Sequence, residues 1–169
     1  MKRLLQWSAR LTALVLVVGS AFGAVFVVGM RTKSPRVQRA VRQMNKRFWN
    51  PRALETAGSP GASASVVRHT GRRSGTAYET PVVAVPADDG FVIVLPYSTN
   101  ADWVRNVLAA GRATILHEGG THEVDRPEIV PIDEVADALG DSNLAHRTFG
   151  VTECLRLHRV EPVAPAART

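Results

Sequence analysis

Thr70-Gly71-Arg72-Arg73-Ser74-Gly75 is a glycine-hinged turn between two Val- and Thr-containing runs, Ser63–Thr70 and Thr76–Val85. Turn residues bound both runs, so the pattern predicts two β-strands joined at this turn. Backbone N–H groups in a glycine-rich turn attract anions, and two guanidiniums add forked donors suited to phosphate or carboxylate. The segment therefore predicts an anion-binding turn within a β-structure.

A second segment, Tyr97–Asn106, predicts a strand end that leads into a helix. Thr99 and Asp102 have the spacing of a helix start signal and Gly111 is a stop signal, so we expect a helix over Asp102–Ala110. Its expected apolar face consists of Trp103, Val104, Val107 and Leu108. A helix N-terminus also attracts anions. Two anion sites on neighbouring elements therefore predict a binding site for one extended, polyanionic ligand.

The rest of the chain after the first 50 residues is dominated by β-signals. Further strands are predicted over Phe91–Pro96, Ala113–His117, Thr121–Val130 and Glu153–Val160. Asp88-Asp89-Gly90 and Glu118-Gly119-Gly120-Thr121 have the composition of hairpin turns. Asn50-Pro51 is expected to end a preceding helix, and Asp133–Leu139 is a candidate short helix. Short antiparallel strands with few helices predict a mainly β protein built as a barrel.

Thr70–Gly75, Thr80–Val82 and Asn100–Asn106, in this order and spacing, resemble the deazaflavin-dependent nitroreductase family. Members of that family use the 8-hydroxy-5-deazaflavin coenzyme F420. The resemblance covers roughly Met44 to Val160. It implies a split β-barrel of the FMN-binding, pyridoxamine-phosphate-oxidase-like kind, with a short helix.

The resemblance also implies where the cofactor binds. The expected contacts are Arg72, Arg73, Ser74, Tyr78, Pro81, Val82, Pro96, Tyr97, Ser98, Asp102, Trp103 and Asn106. The Arg72–Ser74 turn would meet the phosphodiester and glutamate tail, and Pro81 and Val82 would form an apolar wall on the ring. Asn106 would contact the polar edge of the ring, while Trp103 serves mainly as a core anchor. Tyr78 departs from the family pattern, because relatives often carry a basic residue there.

The implied activity is hydride transfer from reduced F420 to a small electron-poor acceptor, such as a nitroaromatic, a quinone or an enone. The cofactor carries this chemistry, so no catalytic side chain is named, and His69 and His146 are only candidate proton donors. The segment His146–Gly150 lacks the substrate-side tyrosines of many relatives. There are two alternatives. The same barrel could bind FMN or haem, or the protein could be a non-catalytic module that binds an anionic ligand. A homodimer is expected by analogy alone.

The charge distribution argues against a nucleic-acid partner. The net charge of +6 arises from the first 50 residues, which contain ten Lys or Arg and no acid. The remaining 119 residues carry 11 basic against 15 acidic side chains, a net charge of −4. Because this part has no basic stripe with interleaved aromatics, binding to DNA or RNA is not expected.

Leu11–Met30 is a run of 20 uncharged residues, which is long enough to cross a bilayer as a helix. More Lys and Arg follow it than precede it, so the rest of the chain is expected to face the cytoplasm from a single-pass anchor in the cell membrane. A cleaved signal peptide is the alternative. Arg36–Phe48 predicts an amphipathic helix that could lie on anionic lipid. We therefore divide the chain into an anchor, residues 1–43, and a deazaflavin-binding domain, residues 44–169, with a membrane quinone as an attractive acceptor.

Two residue types give weaker signals. Cys154 is the only cysteine, so no intrachain disulfide forms, and its strand context indicates a buried, unreactive thiol. His117 and His122 are expected to face each other across a hairpin turn. Two imidazoles with no third ligand do not predict a zinc site.

Overall fold

The computed structural model describes residues 23–24, 27–29, 31–32, 34–96, 99–140 and 150–160. Its centre is one antiparallel sheet of seven strands in the order β2-β1-β5-β6-β7-β4-β3. The strands are β1 Ser65–Thr70, β2 Ala77–Val82, β3 Ala84–Ala87, β4 Gly90–Val94, β5 Arg112–His117, β6 Gly120–Pro131 and β7 Glu153–Arg159. The two edge strands, β2 and β3, are consecutive in the chain, so the sheet curls into a half-barrel. The prediction of a mainly β, barrel-like protein is confirmed.

The single strand predicted over Thr76–Val85 is wrong in one respect, because Val83 divides it into β2 and β3. β2 pairs with β1, whereas β3 pairs with β4 at the opposite edge of the sheet. The chain must therefore leave one edge and join the other at Val83, whose side chain is 66% exposed. The change of partner strand depends on the curl of the whole sheet, so local β-propensity does not reveal it.

The core forms two clusters on opposite faces of β4 and β7. Alternate side chains of a strand point to opposite faces, so Phe91 and Ile93 enter the main cluster and Val92 enters the second. Val104 and Val107 of the helix over Asp102–Ala110 close the main cluster and are fully buried. Cys154 lies in the second cluster, and burial raises the pKa of its thiol to about 11. The expectation of a buried thiol is confirmed.

The helices are α1 Pro35–Met44, α2 Asn50–Leu54, α3 Asp102–Ala110 and α4 Ala136–Leu139. A π-helical turn, Asn45–Trp49, joins α1 to α2, and a 3₁₀ turn, Ile132–Val135, precedes α4. The prediction that Asn50-Pro51 ends the first helix is wrong. Pro51 instead lies in the first turn of α2, where its missing N–H leaves no helical hydrogen bond unmade.

The predicted bounds of α3 are confirmed, as is Gly111 in the left-handed conformation after its last turn. The start signal at Thr99 is wrong, because Ala101 precedes the helix and makes no side-chain cap. Leu108, expected on the apolar face, is exposed. The buried side of the helix carries Val104, Asn106 and Val107.

Both hairpin turns are confirmed. In the β5–β6 turn, Glu118 and Gly119 have φ values of 49° and 76°, the left-handed pair that suits a two-residue hairpin. His117 and His122 do not pair across it: the backbone partner of His117 is Gly120, and that of His122 is Ile115. Register is set by the two-residue loop, so the histidines are staggered.

Among the described residues, no helix has both the length and the hydropathy needed to cross a membrane. The span predicted over residues 11–30 falls mostly outside the described ranges.

Candidate functional site

The glycine-rich turn connects β1 to β2 directly after the pair Thr70 and Ala77. It is held closed by two 2.8 Å backbone hydrogen bonds, from Gly71 N–H to Thr76 O and from Gly75 N–H to Gly71 O. A Cβ atom at Gly71 would lie 2.5 Å from Ser74 Oγ, so a larger residue here would require the Ser74 side chain to move. Since the turn is short and bonded to itself, its exposed groups have defined positions.

Arg72 joins this turn to α3. Its Nη1 donates to Oδ1 of Asn106 at 2.8 Å, and its backbone N–H donates to the same oxygen at 3.2 Å. Its Nη2 lies 3.1 Å from Oδ1 of Asp102, in the first turn of the helix. The two segments that the sequence predicts as anion sites are therefore adjacent, and Arg72 bridges them.

Asn106 is 6% exposed and makes a second contact on the side away from Arg72. Its Nδ2 lies 3.3 Å from Nδ1 of His69, and Nε2 of His69 lies 3.2 Å from Oγ1 of Thr80. Because Nδ2 is a donor, Nδ1 must accept, so the proton of the neutral ring is on Nε2 and points to Thr80. Burial lowers the pKa of His69 below its ordinary value of 6.5, which agrees with a neutral ring.

The remaining expected contacts surround this network or lie further away. Tyr78 is stacked on His69 with ring centroids 5.7 Å apart, and its hydroxyl lies 3.5 Å from Ser74 Oγ. Trp103 is half-buried against the main core cluster. Adjacent positions of β2 place Pro81 and Val82 on opposite faces of the strand, and Val82 packs on the core.

Arg73 is exposed, and within the described ranges it makes no hydrogen bond or ion pair, so its guanidinium can meet an outside anion. Pro96 is exposed just after β4. Tyr97, Ser98 and His146 lie outside the described residues.

A cleft of about 510 Å³ opens beside the turn. The β1–β5 ladder ends at the pair Arg68 and Thr114, and the cleft begins beyond it. Tyr78 is the one expected contact that lines it, together with Arg68, His69, Thr70, Ala77, Glu79, Ala110, Arg112, Ala113, Thr114 and Glu123. The cleft therefore adjoins the predicted site without coinciding with it.

Two residues of this network, His69 and Thr80, were not among the expected contacts. A signal was present for His69, because strand alternation places it on the same inward face as Val67. A polar residue on an inward face requires a partner. The identity of that partner, Asn106 of α3, is set by tertiary packing.

The donor set fits an anionic, phosphate-bearing cofactor. Within the described ranges the guanidinium of Arg73 makes no hydrogen bond or ion pair, and its neighbour Arg72 contacts Asp102 in the first turn of α3. Arginine side chains and helix N-termini both favour phosphate. In the part of the chain that is described, no cluster of three His, Cys, Asp or Glu side chains forms a metal site.

Comparison with solved structures finds only distant likeness. An F420-H2-dependent reductase, FDR-A, shares 11% identity over 55% of this chain and 92% of its own, with a TM-score of 0.38. An FMN-binding protein from Syntrophomonas wolfei shares 15% identity over 75% of this chain and 97% of its own, with a TM-score of 0.38. A domain-swapped dimer shares 14% identity over 74% of this chain and 100% of its own, with a TM-score of 0.43. Likeness at this level carries no argument about function.

No curated protein matches the chain. A family model does, over residues 36–139, which is more than half of the sequence and contains both the turn and α3. The chain therefore belongs to the F420H(2)-dependent quinone reductase family and is an oxidoreductase that uses coenzyme F420.

Proposed function

We propose that this protein transfers a hydride from reduced F420 to a quinone dissolved in the membrane. The observation that carries the proposal is the junction of the glycine-rich turn with the start of α3, where Arg72 contacts Asp102 and Asn106. The family match covers the same junction. Nitroaromatics and enones are secondary acceptors in this proposal, because they share the electron-poor character of a quinone.

The chain's own residues bind and orient the cofactor. Arg73 and the backbone of the turn hold the phosphodiester and the glutamate tail, and Arg72 keeps the turn at a constant distance from α3. Tyr78 offers an aromatic face at the border of the cleft. The bound deazaflavin supplies the hydride from C5 of its ring. The fold that presents these groups is proposed to be the split β-barrel.

The membrane part of the proposal rests on the N-terminal region. Residues 11–30 are uncharged, and basic residues follow them. In the described part, Phe48 and Trp49 are 53% and 62% exposed, beside the guanidiniums of Arg47 and Arg52. Exposed aromatic and cationic side chains on one short helical segment suit a lipid headgroup layer. We propose a single-pass anchor, with the domain of residues 44–169 facing the cytoplasm and able to form a homodimer.

The test of the activity uses the full chain in detergent. F420 fluorescence is titrated beside FMN, and oxidation of F420H2 is then followed with a quinone, a nitroaromatic and no acceptor. We expect saturable F420 binding, preference over FMN, and the fastest turnover with the quinone. Arg73→Ala should weaken F420 binding by about tenfold, since a charge-assisted hydrogen bond is lost. Preference for FMN, or binding without turnover of any acceptor, would contradict the proposal.

The test of the anchor uses two charges placed in the uncharged run. Leu16→Arg/Val17→Arg should move the protein from the membrane fraction to the soluble fraction, because each arginine opposes insertion by about 2.5–3.5 kcal/mol. Ser8→Arg/Gln6→Arg, outside the run, is the matched control. A wild-type chain found only in the soluble fraction would refute the anchor.

A further inference from the structure

We propose that His69 is a positioning residue for cofactor binding, because it fixes the orientation of the Asn106 carboxamide and, through it, the place of Arg72. The proposal rests on the proposed function, in which this turn binds the cofactor. His69 need not touch the cofactor or the reacting atoms. It acts from within the sheet, through one side chain of α3.

The Asn106 carboxamide has an acceptor at one end and a donor at the other. Arg72 presents only donors to Asn106, its backbone N–H at 3.2 Å and its Nη1 at 2.8 Å. Oδ1 must therefore face Arg72, and the amide nitrogen must face the other side. There it meets Nδ1 of His69 at 3.3 Å. The lone pair on this nitrogen favours the same amide orientation that Arg72 requires, so His69 and Arg72 hold the carboxamide from both ends.

His69 can perform this role because its own position is fixed. Its backbone pairs with Tyr78 of β2, and the preceding residue, Arg68, is paired with β5 on the other side. The ring is 8% exposed, is stacked on Tyr78 and lies within hydrogen-bond distance of Thr80 Oγ1 at 3.2 Å. The turn, in contrast, is an exposed loop. The network therefore transmits the rigidity of the sheet to Arg72.

Loss of the acceptor would change the site in a definite way. Asn106 is buried, so its amide nitrogen would lack a partner. The carboxamide would then be held at its oxygen end only, so its orientation would be less strongly fixed. The two hydrogen bonds of Arg72 would then be held less firmly, and the turn would be less rigidly fixed to α3.

Protonation of His69 should have the same effect. From β2 the ring faces Tyr78 and Thr80, and from α3 it faces Asn106, with Arg72 and Asp102 behind. The adjoining cleft is lined by Arg68, Glu79, Arg112 and Glu123. No carboxylate contacts the ring within the described ranges, so an imidazolium gains no partner there. A proton on Nδ1 would face the amide donors of Asn106, and affinity for F420 should fall at acid pH.

The first test measures F420 binding by the full chain at about pH 7.5 and about pH 5.5. His69→Leu removes the acceptor, and we expect its Kd to rise about fivefold at the higher pH, the size of one hydrogen bond. His69→Gln restores an acceptor that does not titrate, so it should retain most of the affinity and lose the extra weakening at low pH. His117→Gln is the control, since His117 bonds Ser65 at the other end of β1. Equal affinities and pH profiles in wild type and His69→Leu would overturn the proposal.

The second test does not need the cofactor. Nitrogen NMR of the full chain should show neutral His69 with its proton on Nε2, and the backbone amide signal of Arg72 should shift in His69→Leu but not in His117→Gln. A proton on Nδ1, or an unchanged Arg72 signal, would overturn the positioning role. Failure of the wild type to bind F420 would instead overturn the proposed function, so the two failures are distinguishable.

Discussion

Arg72 and Asn106 lie 34 positions apart in the chain, yet Nη1 of the arginine donates to Oδ1 of the asparagine at 2.8 Å. The backbone N–H of Arg72 donates to the same oxygen. This double contact ties a glycine-rich turn to the first helix that follows it. The next residue, Arg73, has no partner within the described ranges. Arg72 therefore has a structural role, whereas the guanidinium of Arg73 is available to a ligand.

Separate substitution of Arg72 and Arg73 distinguishes the structural role from the ligand-binding role. Arg72→Ala leaves the buried Oδ1 of Asn106 without its side-chain donor, and we expect the free energy of unfolding to fall by about 1–3 kcal/mol. Arg73→Ala should change it by less than about 0.5 kcal/mol, because the residue is exposed and unpaired. Urea denaturation of both variants measures the difference. Equal losses would show that the Arg72 network does not stabilise the fold.

Two glycines provide a matched pair for the backbone. Gly111 has φ of 69° and open space where a Cβ atom would lie, so Gly111→Ala should cost about 1 kcal/mol from the left-handed conformation alone. At Gly90 a Cβ atom would collide with the carbonyl oxygen of Leu157 on β7. Gly90→Ala must push β4 away from β7, and we expect a loss of more than about 3 kcal/mol or failure to fold. Thermal unfolding of the two variants shows which loss of stability is larger. A smaller loss in Gly90→Ala than in Gly111→Ala would contradict the register of β4 on β7.

Acid should destabilise the protein through two histidines. Burial lowers the pKa of His69 below 6.5, and burial together with Arg159 and His117 lowers the pKa of His122. The unfolded chain therefore binds more protons than the folded one as the pH falls through 6.5, so the free energy of unfolding declines there. Well above that pH these two groups contribute nothing to the pH dependence.

The measurement is denaturation at several pH values between about 7.5 and 5.5. We expect a smaller decline with pH in His69→Gln and in His122→Gln than in the wild type, since each removes one titrating group. A decline of the same size in both variants as in the wild type would assign the acid sensitivity to other groups.

The thiol of Cys154 should report on unfolding. It is fully buried in the second core cluster, and burial raises its pKa to about 11. The folded protein should therefore be unreactive toward a disulfide reagent near neutral pH, with labelling that accelerates only as denaturant unfolds the chain. Rapid labelling without denaturant would show that the strands around β7 open locally.

Much of the fold was predictable because its signals are local. Gly111 ends α3 and Glu118-Gly119 makes a two-residue hairpin, since backbone conformation there depends on the residues themselves. The break at Val83 was not predictable, because both of its neighbours have strand propensity and only the change of pairing edge interrupts them. At the site, Arg72 and Arg73 stood out by motif and His69 only as a candidate proton donor, because its contact with Asn106 depends on tertiary packing.

By itself, the sequence indicated most of the β-strands, the glycine-rich turn between β1 and β2, the bounds of α3 and the family, because each of these signals lies in residues close together in the chain. Only the tertiary structure decided which polar groups are available. The fold engages the donors of Arg72 with Asn106 and Asp102, buries Asn106 against His69 and leaves Arg73 exposed. The physical reason is that a buried polar group must find its partner in space, and the curl of the sheet sets which residues meet.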